Sequence, residues 1–154
     1  FLWGQKQERT PTWYGLFTED GEKMEAIDVM QYHWTGEWPE NRAPEIIEAK
    51  INGQGRYDGI ILSPGSENTA FVEYNDPDND SIRVECEIMK EATRLGDGGD
   101  FEPRPTTVET EMKCTPDGEI SFTAPEEKGE YRLFIYVRDG NNHAGTVNIP
   151  FKVE

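Results

Sequence analysis

Basic residues are scarce in this chain: 15 lysines and arginines stand against 31 aspartates and glutamates over 154 residues, a formal net charge of -16. A field of that sign repels phosphate backbones and anionic lipid headgroups, which argues against nucleic acid and membrane surfaces as partners. Long apolar runs are absent too. Nothing approaches the roughly 20 residues needed to cross a bilayer, and the opening Phe1-Leu2-Trp3-Gly4 has neither the basic start nor the apolar core of a secretory leader. It also has no initiator methionine and reads as the start of a processed or cut fragment. There are only two cysteines, Cys86 and Cys114, at a spacing that matches no zinc or CxxC redox motif. The two histidines, His33 and His143, stand alone without a serine or cysteine nucleophile motif, so nucleophilic catalysis has no support in the sequence.

What the chain does have is enough apolar surface to fold. Seven phenylalanines, six tyrosines and four tryptophans accompany several alternating runs, which offsets the disorder that high charge alone would favour. The length suits one well-cored domain plus an appendage, since single domains commonly hold about 100 to 150 residues. All four tryptophans, Trp3, Trp13, Trp34 and Trp38, precede Pro44, and the polar stretch Asn41-Arg42-Ala43-Pro44 suits a linker entering an extended strand. Two regions are therefore expected, 1–43 and 44–154.

In the first region Phe1 to Gly4 reads as a short buried strand and Lys6 to Thr12 as a polar loop. A helix follows, with Asp20 as its cap, Glu22 in the first turn, and Met24, Ile27, Met30 and Trp34 on one side; Gly36 and Pro39 stop it. From Pro44 the period changes to two. About seven strands are expected, drawn from eight segments: Glu45 to Ile51, Gly59 to Leu62, Thr69 to Tyr74, Ile82 to Met89, a weak Val108 to Cys114, Glu119 to Thr123, and a long pair, Tyr131 to Arg138 and Ala144 to Val153. Asp139 to His143 joins that pair as a hairpin loop. Gly96 to Pro105, rich in glycine and acid, reads as a surface insert. The fold class is thus mainly β, an immunoglobulin-like antiparallel β-sandwich preceded by a short strand, loop and helix. Alternation turns Cys86 and Cys114 inward, compatible with a disulfide and equally with two buried free thiols.

Two stretches resemble known families. Phe1-Leu2-Trp3-Gly4-Gln5-Lys6-Gln7-Glu8-Arg9-Thr10-Pro11-Thr12-Trp13-Tyr14-Gly15-Leu16-Phe17, with Gly21-Glu22-Lys23 and Asp28-Val29-Met30, resembles the eighth strand, loop and helix that end the (β/α)8 barrel of bacterial clan A glycoside hydrolases. Asp76-Pro77-Asp78-Asn79-Asp80 through Ile88, with Gly129 to Gly140, resembles cadherin-like and polycystic-kidney-disease-like sandwich modules. The first resemblance implies that Trp3 lines the floor of a sugar pocket in a parent protein. By residue type Trp3, Gln5 and Glu8 suit a sugar-facing edge, with an aromatic face for the pyranose and amide and carboxylate groups for its hydroxyls; a barrel-core tryptophan and a solvated loop charge would read the same way. The resemblance also implies that the two catalytic carboxylates, which follow strands four and seven of such a barrel, are not in this sequence. A retaining mechanism needs both, about 5 to 5.5 Å apart.

The expected function is accordingly non-catalytic: a C-terminal accessory or spacer module of a secreted, periplasmic or cell-surface carbohydrate-active protein, with the upstream domain of the same polypeptide as its partner. Trp13, Tyr14, Trp34 and Trp38 suit the seam between a terminal helix and a neighbouring domain; a polysaccharide-binding platform would use the same residue types. No cofactor is required, though calcium is a candidate ligand. Asp76, Asp78 and Asp80, with Asp139 on another loop, offer hard oxygen donors at alternate positions, in a pattern shared by any acidic turn. The alternatives are a carbohydrate-binding module and a calcium-stiffened adhesion module.

Overall fold

The structure is a computed structural model that describes residues 16–92 and 104–154. Trp3, Gln5, Glu8, Trp13, Tyr14 and all of the acidic insert except Arg104 and Pro105 lie outside the described residues.

One helix precedes ten strands: α1 (Glu25–Thr35), β1 (Glu45–Ile51), β2 (Gln54–Gly55), β3 (Ile61–Leu62), β4 (Glu67–Asn75), β5 (Arg83–Lys90), β6 (Thr107–Val108), β7 (Met112–Cys114), β8 (Glu119–Thr123), β9 (Gly129–Arg138) and β10 (Ala144–Val153). They form two five-stranded sheets, ordered β2-β1-β4-β8-β7 and β3-β10-β9-β5-β6. All pairings are antiparallel except that of β3 with β10, which is parallel. Seven strands carry the sandwich, with β1, β4, β8 and β7 in one sheet and β10, β9 and β5 in the other. This is the strand distribution of an immunoglobulin-like sandwich.

The structure has two strands more than the eight expected segments, because β2, at two residues, is too short to show alternation and one expected strand is split. β2 returns on β1 through Asn52 and Gly53, both at positive φ (49° and 79°), as a tight two-residue hairpin requires. The expected strand Val108 to Cys114 is in fact two pieces in different sheets. β6 pairs with β5, the chain crosses over at Glu109 to Glu111, and β7 pairs with β8.

The core lies between the sheets. Val72, Ile88, Ile120, Phe122, Leu133, Ile135, Val137, Ile149 and Val153 are all at most 2% exposed, contributed by alternate positions as the period predicts. At the start of β9, Tyr131 is buried, stacks on Phe151 and donates its hydroxyl proton to the Glu127 carbonyl at 2.7 Å. A tyrosine in this place, tied back to the preceding corner, is a signature of the fold. The outward residues of β9 are covered as well: Phe134 and Tyr136 form a second small cluster with Met89.

The helix departs from expectation at its start. Met24, not Asp20, is the N-cap, and no side chain caps it. Asp20 and Glu22 instead pair with Arg138 at the far end of β9, Asp20 at 2.9 Å, and Glu85 joins the same guanidinium at 2.8 Å. A full guanidinium charge that is mostly shielded from solvent attracts carboxylates more strongly than the partial charge of a helix N-terminus. Gly36 ends the helix as expected, at φ 80°, with its N–H on the Tyr32 carbonyl.

Candidate functional site

The described part of the first region is seated on one end of the sandwich. Lys23 bridges the β9–β10 loop by backbone: its N–H donates to the Asn142 carbonyl and its carbonyl accepts from Ala144, both at 2.9 Å. The linker lies so close to β10 that a Cβ on Gly145 would collide with the Pro44 carbonyl oxygen.

Beneath this contact is a buried polar clasp. Asp28, His143 and Asp139 are only 1%, 4% and 3% exposed. One oxygen of Asp28, on α1, accepts the N–H of Ala43 in the linker at 2.7 Å. Its other oxygen faces His143 Nε2 at 3.7 Å, and neither of these two atoms has a hydrogen-bond partner. On the far side of the ring, Nδ1 lies 2.9 Å from the Asn41 amide nitrogen and 3.1 Å from the Asn141 carbonyl. Asn41 also donates to Asp139 at 2.6 Å, while the other Asp139 oxygen accepts the N–H groups of Asn141 and His143. Helix, linker and hairpin loop thus converge on one imidazole. The sequence does not show the pairing of His143 with Asp28 or Asn41, because each of these lies more than a hundred residues from it.

Above the clasp the helix and the segment that follows it present aromatic rings to solvent. Trp38 and Tyr32 stack with centroids 4.6 Å apart and planes 16° from parallel, and the Arg42 guanidinium lies 4.0 Å from the Trp38 ring centroid. Arg42 is itself held by Glu45 at 2.8 Å. Trp34, expected on the inward side of the helix, is 80% exposed. The helix turns Asp28, not Trp34, into the sandwich because the receiving surface is a polar loop and not an apolar sheet face.

The four aspartates considered for calcium are gathered at this same end, each engaged by a nitrogen donor. Asp76 accepts the Asp80 N–H at 2.6 Å, Asp78 the Arg42 N–H at 2.6 Å, and Asp80 the Asn141 side-chain amide at 2.8 Å. Burial, opposed by the Asp80 hydrogen bond and reinforced by Asp80, Asp78 and Asp139, pushes the Asp76 carboxyl above its ordinary range. Among the described residues no group of three or more histidines, cysteines, aspartates or glutamates is disposed to hold a metal ion. Nor is any helix among them long and apolar enough to cross a membrane.

No protein-family model matches the chain, and no curated protein does. Among solved structures it is similar to PcoC, a methionine-rich copper resistance protein from Escherichia coli, with a TM-score of 0.43 and 13% identity over 73% of this chain and 99% of that one. It is similar to CopC from Methylosinus trichosporium OB3b, with a TM-score of 0.41 and 12% identity over 72% and 93%. A nucleoside hydrolase-related hypothetical protein from Saccharophagus degradans, associated with carbohydrate metabolism, gives 0.42 and 14% over 74% of this chain and 26% of that one. These likenesses are loose. The class, an immunoglobulin-like β-sandwich, rests on the strand order and the corner tyrosine described above.

Proposed function

We propose that this chain is a non-catalytic accessory module of an exported carbohydrate-active protein, and that α1 and the linker form a rigid junction to the domain that precedes them. One observation carries the reading. The junction is fixed by a buried clasp of Asp28, Asn41, Asp139 and His143 while the rings above it face outward. A flexible spacer needs no buried polar anchor, whose desolvation is offset only by precise partners. Solvent-facing Trp34 and the Trp38–Tyr32 stack then form the seam against a neighbouring domain, since rigid aromatics concentrate interface energy. In the same reading Trp3, Gln5 and Glu8 belong to the sugar-facing edge of the preceding domain.

The test uses the whole parent polypeptide beside this chain. Hydroxyl-radical footprinting should label Trp34 strongly in the isolated chain and weakly in the parent. Equal labelling in both would refute the seam. The 80% exposure of Trp34 also favours a second reading, a carbohydrate-binding module. Polysaccharide affinity electrophoresis separates the two: retardation that disappears in Trp34→Ala supports binding, and unchanged mobility on every polysaccharide supports the seam.

A further inference from the structure

The open side of the sandwich carries a pair of thiols that the reading above does not use. β7 is the edge strand of its sheet and only three residues long. In the other sheet β6 covers β5 only at Ile88 and Met89, so at Cys86 β5 is paired on one side alone, with Ile135 of β9. Both cysteines are half-buried and border the same core, Cys86 in line with Val84 and Ile88, Cys114 opposite Ile120. Stacked sheets ordinarily stand about 10 Å apart. Here β5 and β7 come within 8 Å, Cα to Cα, so the sheets converge along the two strands that carry the cysteines.

We infer that Cys86 and Cys114 are a cross-sheet disulfide site that staples this open edge. The inference stands on strand placement and does not rest on the accessory-module reading. The place differs from the usual inter-sheet bridge of immunoglobulin domains, which joins two central strands; this one ties an edge strand down. Hydrogen bonding to Cys86 lowers the Cys114 thiol, against burial, whereas the same neighbour and burial push Cys86 up. Placed on the three-residue edge strand, Cys114 is the attacking sulfur. Its thiolate displaces one thiolate from an external disulfide, giving a mixed disulfide. Cys86 then loses its proton and attacks the Cys114 sulfur, releasing the second thiol. The chain gives up two electrons and two protons, and the external disulfide takes them as two thiols.

The experiment equilibrates the reduced, folded chain with oxidised and reduced glutathione. The expected product has lost two hydrogens by intact mass, yields a tryptic peptide linking Cys86 to Cys114, and melts on the order of 10 °C higher, reversibly with dithiothreitol. Cys86→Ser and Cys114→Ser should melt close to the reduced wild type and show no rise. The inference fails if both thiols stay reactive toward Ellman's reagent once the equilibrated chain is unfolded. It fails equally if they end as separate glutathione adducts or as intermolecular dimers.

Discussion

Asp28 reaches across the foot of α1 to accept the backbone N–H of Ala43 at 2.7 Å, fixing the point where the helical region becomes the first strand of the sandwich. Ala43 is 1% exposed and so is Asp28, so neither can fall back on water. Replacing Asp28 by alanine strands the Ala43 N–H and leaves the His143 ring without its facing carboxylate. The expected loss is about 2–4 kcal/mol of unfolding free energy in urea. Asp28→Asn keeps a carbonyl oxygen for Ala43 and should lose only about 1 kcal/mol. Losses below about 0.5 kcal/mol for both variants would mean that the clasp is not structural.

The aromatic shelf separates stability from recognition. Trp34 is almost wholly solvated, so Trp34→Ala should change stability by no more than about 0.5 kcal/mol in the isolated chain. Trp38 stacks on Tyr32 and lies beneath Arg42, and Trp38→Ala should cost about 1–2 kcal/mol. Thermal or urea melts of the two variants side by side decide this. Equal losses would show that the shelf is not organised as described.

Much of the sandwich was legible in the sequence, and the reason is local. β8 begins and ends where its alternation does, since a one-face core imposes period two along a strand, and β1 and β10 keep their expected bounds although a register shift at Ile46 and Glu48 interrupts the period of β1. Gly36 stopped the helix for an equally local reason. What escaped were relations between distant residues. From its neighbours alone Asp20 reads as a cap, whereas its partner in the fold is Arg138. His143 stood alone until the fold placed Asp28 and Asn41 beside it. The β6–β7 crossover likewise leaves no periodic trace, because each strand is too short to carry one.

Asp76 gives a pH signature. Chiefly through burial, its folded carboxyl sits above the usual carboxylate range, so the folded state holds a proton more tightly than the unfolded state does. Its contribution is therefore most favourable below the unfolded value of about 3.9 and is lost as pH rises through the higher folded value. Asp76→Asn retains an acceptor for the Asp80 N–H and should melt slightly above wild type at pH 7. The advantage should shrink to nothing below about pH 4. A variant less stable than wild type at pH 7 would contradict the assignment.

The acidic turn is expected to hold its shape without calcium. Backbone and amide N–H groups already occupy oxygens of Asp76, Asp78, Asp80 and Asp139. An ion that binds only the folded state stabilises it by an amount that grows with the logarithm of its concentration over its dissociation constant. Melts in chelator and in millimolar calcium should therefore coincide. A rise of many degrees, abolished by Asp78→Ala, would favour the calcium-stiffened adhesion reading.

The rigid junction is tested most directly by hydrogen–deuterium exchange at the Ala43 amide. If Asp28 anchors the linker, that N–H should exchange as slowly as those of β9, because it opens only when the docked helix comes away from the sandwich. Exchange within seconds, at the rate of an unprotected linker, would show that the helical region is only tethered to the sandwich, and the account of a fixed junction would be wrong.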